Sequence, residues 1–183
     1  RLVVIDPNFT ETAQKADEWV PIQPGTDGAL ALAMCKTIID EKLYDEAFVS
    51  SHCEGFTGFQ DHLSEKGYTP EWAEDICGID AERIKRLARE FATTKPSMSA
   101  IFKGSGYYTN GHDAGRACYI LDAICGEVDK PGNINLKDWA PLGAPVNIPE
   151  TAIRQPEKEP LHVAMGYPLA PDLPNSRLPD AVI

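Results

Sequence analysis

Cations are scarce in this 183-residue chain. Its 17 lysines and arginines stand against 28 aspartates and glutamates, a formal net charge of -11 at pH 7 and a pI near 4.7. Affinity for nucleic acid rests on phosphate neutralisation by Lys and Arg, so the balance argues against a nucleic-acid partner. Long apolar runs are also missing. None approaches the roughly 20 residues that span a bilayer, and direct membrane insertion is not expected. Neither an initiating Met nor a leader segment is present, but a fragment beginning at Arg1 would have lost both, so cellular location is not legible. The five cysteines, Cys35, Cys53, Cys77, Cys118 and Cys125, contain no C-x-x-C pair and are odd in number. Such spacing gives neither a zinc site nor a disulfide framework, and buried thiols acting as small apolar residues are the expectation. His52, His62, His112 and His162 lack ligand spacing and evident acidic partners. No Ser-His-Asp set, paired carboxylates or activated Cys appears, so no catalytic residue and no metal ligand is assigned to this segment.

What is present is enough for one hydrophobic core, with 43% hydrophobic residues. Nine of the 15 prolines follow Trp139 and leave no room there for regular elements. Residues 1–138 therefore read as an α/β domain and residues 139–183 as an extended proline-rich connection or tail.

Within the domain, Leu2 to Ile5 is a continuous aliphatic run, β-branched from Val3 on, the pattern of a strand covered on both faces in a parallel sheet. Pro7 ends it, and Thr10 is placed to cap a helix running through Ala16. Trp19 to Ile22 reads as a second strand. Thr26 or Asp27 then caps a helix over 28–42, with Leu30, Ala33, Met34, Thr37, Ile38 and Leu43 as its apolar stripe. A further helix follows Asp45 and is broken at Gly55 to Gly58. Thr69-Pro70 opens another, closed by Gly78, and Asp80 caps an amphipathic helix that Lys95-Pro96 ends. Ser99 to Phe102 reads as a strand feeding the loop Gly104-Ser105-Gly106, ahead of a helix over 113–125 and a turn over 126–132.

Three places on this framework can carry chemistry. Asp6 stands at the carboxyl end of a strand, where open α/β sheets bind nucleotides. A carboxylate there accepts two parallel hydrogen bonds and suits a base edge with two adjacent donors, such as guanine. An Asp capping a turn before Pro has the same local pattern, and spacing alone leaves both readings open. Gly25-Thr26-Asp27 lets backbone come close to a ligand and puts free helix N–H groups behind it, or is simply a helix start. The segment Gly104 to Gly111 resembles a phosphate-cradling loop without the spacing of the dinucleotide fingerprint.

Taken in order, these segments are similar to the catalytic subunits of the molybdopterin oxidoreductases, the family of dimethyl sulfoxide reductase, formate dehydrogenase and polysulfide or thiosulfate reductase. Asp6-Pro7-Asn8-Phe9-Thr10-Glu11-Thr12-Ala13, Ala16-Asp17 and Pro24-Gly25-Thr26-Asp27-Gly28-Ala29-Leu30 carry the likeness. It continues through Leu43 to Val49, Glu54-Gly55-Phe56, Tyr68 to Gly78, Arg116-Ala117 and Gly126 to Gly132, over about residues 2 to 136.

The resemblance implies a Rossmann-like three-layer domain with a mainly parallel sheet, most of the third domain of such a subunit, lacking its first βα unit. It implies a molybdopterin guanine dinucleotide as cofactor, one of two on a molybdenum or tungsten atom. Asp6 would grip the guanine edge, with Pro7, Asn8 and Thr10 shaping the pocket. Gly25, Thr26 and Asp27 would line the guanosine side, and Lys103, Gly104 and Tyr107 would approach the pterin or its phosphates. The partners implied are the remaining domains of the same subunit and an iron-sulfur electron-transfer subunit. The iron-sulfur cluster and the protein ligand to the metal would lie outside this segment, which is expected to be inactive alone. Two departures stand out. Asn8 replaces the family's usual Arg, removing a cation and a stacking surface, and the glycine segment lacks the common Gly-x-x-x-Gln-His form. Asn8 is also the residue that favours an alternative reading, a non-catalytic interaction or scaffold domain with a degenerate nucleotide pocket. The wording from Trp19 to Asp27 and the short glycine loop are most like the polysulfide, thiosulfate and tetrathionate reductase branch.

Overall fold

The computed structural model describes residues 1–101 and 103–133, and the proline-rich segment over 139–183 lies outside them. The chain opens with β1 (Val3–Ile5), α1 (Glu11–Lys15) and β2 (Glu18–Val20). The two strands are parallel, with Val3, Val4 and Ile5 opposite Glu18, Trp19 and Val20, and the twelve residues 6–17 make the crossover that parallel pairing needs. Six longer helices and one short turn follow: α2 (Asp27–Asp40), α3 (Glu46–His52), α4 (Phe56–Glu65), α5 (Pro70–Cys77), α6 (Ala81–Thr93), α7 (Lys103–Gly106) and α8 (Gly111–Ile124).

Helix α2 is the hub, packed against α8, α5, α6 and α4. Leu30, Ala33, Met34, Thr37 and Ile38 of the expected stripe are buried, and so are Ala31, Cys35 and Ile39 on a second face, because neighbours surround most of the helix. Leu43 lies beyond the end of α2 and is only half-buried. Close approach to α8 depends on Gly28: a Cβ there would lie 3.2 Å from the Cα of Ala114. Local signals fix most helix ends. The Thr10, Asp45, Thr69 and Asp80 side chains accept from Ala13 N, Phe48 N, Trp72 N and Arg83 N. Gly78 closes α5 in the left-handed conformation.

Several expectations need correction. The run from Leu2 to Ile5 does not have both faces covered here, since Leu2 is 47% and Ile5 40% exposed. β1 has a neighbour on one edge only, among the described residues. The glycines at 55 and 58 do not merely break a helix. Gly55, at φ +77°, turns the chain into α4. No strand forms over 99–101. The Ser99 amide instead donates to Asp122 Oδ1 at 2.8 Å, and its hydroxyl bonds Asp122 Oδ2 and the Cys118 carbonyl. This side-chain anchoring to α8 takes the place of sheet pairing.

No disulfide links the cysteines. Cys35, Cys77 and Cys125 are buried and Cys53 and Cys118 partly so. Burial raises all five thiols above their ordinary range, Cys118 to about 11 and Cys125 to about 12. No helix among the described residues is long and apolar enough to cross a membrane.

Candidate functional site

Asp6 continues β1 at its carboxyl end, donating its amide to the Val20 carbonyl at 3.2 Å. Its own carbonyl accepts from Trp19 Nε1 at 2.9 Å, and the Trp19 ring lies 5.0 Å from that of Phe9. The Asp6 carboxylate is half-buried, and Oδ1 accepts from the Asn8 amide at 2.7 Å, the turn that an Asp before Pro makes. Among the described residues Oδ2 has no hydrogen-bond partner. The turn reading of Asp6 is therefore real, and it leaves one oxygen and a second lone pair on the other unused. Pro7 and Asn8 are exposed beside it. Thr10 is committed to capping α1, with Oγ1 accepting from Ala13 N at 3.2 Å.

The second group is the turn before α2. The Gln23 amide ties it to the Cys77 carbonyl at 3.0 Å, and Gly25 takes φ +79°. Thr26 holds the cap position, but its hydroxyl donates back to the Gln23 carbonyl at 2.6 Å and does not cap the helix. The Ala29 and Leu30 amides are taken up by the Thr26 carbonyl. Those of Asp27 and Gly28 find no acceptor among the described residues, so the positive end of α2 is open.

The third is the glycine segment. Lys103 and Gly104, expected in a loop, belong to the single helical turn α7. The chain folds back so tightly that a Cβ at Gly111 would lie 2.5 Å from the Gly106 carbonyl oxygen. Tyr107 is 77% exposed. Two residues that sequence reasoning did not single out join this segment to the second group. The Tyr108 ring covers Gly25, where a Cβ would meet its Cδ1 and Cγ at 3.1 Å. Asn110 Nδ2 donates to the Gly25 carbonyl at 3.1 Å. Glycine at 25 with an aromatic residue in the later loop was the only available signal, and it is invisible without the fold. The structure thus brings Gly25, Thr26 and Asp27 to the glycine segment. Asp6, Pro7, Asn8 and Thr10 form a separate cluster, and no hydrogen bond or ring contact joins the two among the described residues.

Charged side chains brace the stem of the glycine segment. Asp122 is fully buried. Burial pushes its carboxyl upward, against the hydrogen bonds from Ser99. Glu127, also buried, moves the other way. Burial alone would raise it, but Asn133 and Lys95 more than offset this, with Lys95 Nζ at 2.9 Å. At the opposite end of β2, burial likewise opposes ionisation of Glu18, yet Arg86 and Arg83 hold it below the usual carboxylate range. No group of His, Cys, Asp or Glu that could hold a metal ion occurs among the described residues. A groove lined by Tyr44, Val49, Cys53 and Phe56 runs between α3 and α4, built from residues outside all three groups.

A family model described as molybdopterin oxidoreductase matches residues 1–162. Dimethyl sulfoxide reductase DmsA of Escherichia coli is 36% identical over 146 residues, covering 70% of this chain and 18% of the relative. Formate dehydrogenase H of the same organism is 34% identical over 159 residues, covering 82% and 22%. Among solved structures, acetylene hydratase from Pelobacter acetylenicus superposes with a TM-score of 0.65 at 38% identity, covering 69% of this chain and 17% of that one. The chain thus spans about a fifth of the length of such relatives.

Proposed function

Because the chain belongs to the molybdopterin oxidoreductase family, we propose that it is the guanine-dinucleotide-binding segment, the third domain, of a molybdenum or tungsten bis(molybdopterin guanine dinucleotide) oxidoreductase. In this reading the strand pair β1–β2 is part of a larger, mainly parallel three-layer sheet, and the site lies at its carboxyl edge. The observation that supports the proposal is the joining of the Gly25 turn to the glycine segment through Tyr108 and Asn110, which brings two of the three candidate segments together.

The residues fit the group. The unused Asp6 oxygen, with the spare lone pair on its partner, matches the paired N–H donors of guanine. The free amides of Asp27 and Gly28 suit ribose or phosphate oxygens, and Gly25 keeps the backbone accessible. Lys103 is the cation of the glycine segment, in a group separate from the one where Asn8 stands. When bound, the cofactor supplies the two-electron redox chemistry, while this segment binds and orients it. Electrons would pass through iron-sulfur centres outside the segment, to or from an iron-sulfur partner subunit. The names of the relatives span a reductase, a dehydrogenase and a hydratase. Family membership therefore leaves the substrate open, and our assignment to the polysulfide, thiosulfate and tetrathionate branch rests on the wording from Trp19 to Asp27.

The test is metal analysis and acid-released GMP on the full-length protein, purified without oxygen from a host that makes the cofactor. Two GMP for each Mo or W atom are expected. In the Asp6→Asn variant the amide turns a donor toward guanine's donors while still able to accept from Asn8. GMP retention should fall by roughly ten- to a hundredfold, the range for losing a charge-assisted bond pair. Absence of both metal and GMP from the wild-type protein would instead support a scaffold role.

A further inference from the structure

We propose that Tyr108 and Asn110 form a latch on Gly25 that fixes the Pro24–Asp27 turn against the glycine segment and so sets how firmly the dinucleotide is retained. The inference rests on the functional reading above, in which both segments line one cofactor. Its geometry adds two side chains, Tyr108 and Asn110, that were not among the expected site residues.

The latch has two contacts. The Tyr108 ring occupies the space a side chain at 25 would need, with Cδ1 and Cγ at 3.1 Å and Cε1 at 3.3 Å from a Cβ built there. The contact uses ring carbons and not the hydroxyl. Asn110 then fixes the Gly25 carbonyl at 3.1 Å. Gly25 lies in the left-handed region, at φ +79°, so the turn has a conformation that only the absence of a side chain makes easy, and the ring sits on the face left bare.

The latch is separable from the fold. Behind it, α2 and α8 are held together by Gly28 against Ala114 and by buried Leu30, Met34, Ala117 and Leu121. Tyr108 itself is 46% exposed, and the Asn110 bond is at the surface. Removing either side chain leaves the helix pair in place and frees only the turn that both hold. Tyr108 and Asn110 are therefore positioning residues acting through Gly25. Their loss lowers the population of the binding-competent turn without removing a ligand contact, and apparent affinity falls with that population.

The experiment uses the full-length protein with Tyr108→Ala, Tyr108→Phe and Asn110→Ala. It reads GMP per chain after extended dialysis, together with the thermal midpoint of each variant from a host unable to make the cofactor. Tyr108→Ala and Asn110→Ala are expected to lose GMP roughly tenfold faster than wild type. Tyr108→Phe, which keeps the ring, should match wild type, and all cofactor-free midpoints should agree. Wild-type retention in both alanine variants would overturn the latch while leaving the cofactor site standing. Midpoints that fall in step with GMP loss would reduce the two residues to a purely structural role. A wild-type protein without GMP would overturn the functional reading and the latch together. Should Tyr108→Ala not fold, Asn110→Ala against Asn110→Asp, which removes the donor without truncation, decides the same question.

Discussion

At the scale of single residues, two buried carboxylates five positions apart titrate in opposite directions because their partners differ. Asp122 has hydroxyl and amide donors from Ser99 and no cation; Glu127 has Lys95 and Asn133. The folded pKa of Asp122 is raised, so its ionised form opposes folding. That opposition is absent below the ordinary value of 3.8 and grows as pH rises through the folded value. Glu127 is lowered, so its contribution is present above its ordinary 4.5 and is lost as pH falls through the folded value. The Asp122→Asn variant should therefore gain stability relative to wild type as pH increases above 3.8 and equal it at lower pH. Thermal midpoints of the two proteins across that range check the sign. Residue chemistry at Asp6 was legible only in part. Asp-Pro-Asn announces a turn, and the turn exists, but which oxygen it leaves unused depends on where β2 puts Val20 and Trp19.

At the scale of elements, what the sequence disclosed and what it concealed divide by range. Caps at Thr10, Asp45, Thr69 and Asp80 are interactions over three residues and could be read directly. The start of α4 was hidden because Gly55 serves as an entrance as well as a stop. The segment from Ser99 has strand-like residues, yet a bond to Asp122, 23 positions away, decides its conformation. The joining of Gly25 to Asn110 spans 85 positions and has no local trace. One element gives a sharp test. A Cβ on Gly111 would meet the Gly106 oxygen, carbon and Cα at 2.5, 2.6 and 2.7 Å, all backbone atoms that no rotamer change can move aside. Gly111→Ala should displace α7 while α8 persists, because Ala is the better helix former at that position. Hydrogen exchange in the full-length protein is expected to lose protection over 103–111 and keep it over 117–124; uniform loss across both would refute the separation.

At the scale of the whole molecule, the open edge of β1 has a directional consequence. Asp6 N points to β2, so by alternation the Val3 and Ile5 amides point the other way, on the side with no neighbour among the described residues. If the sheet continues in the longer protein, as we propose, these amides should exchange slowly there and quickly in a fragment ending at residue 133. Equal, fast exchange in both would leave the sheet at two strands. The exposed Leu2 and Ile5 side chains should likewise become covered only in the longer protein.

The buried thiols bear on how loss of activity in air would be diagnosed. A thiol reacts through its thiolate, and all five here are held protonated. Alkylating reagents at neutral pH and mild oxidants should pass over the buried Cys35, Cys77 and Cys125 and reach the partly exposed Cys53 and Cys118 first. Inactivation by either reagent would therefore not map to Cys35, Cys77 or Cys125, and these three would serve as an internal unreactive standard.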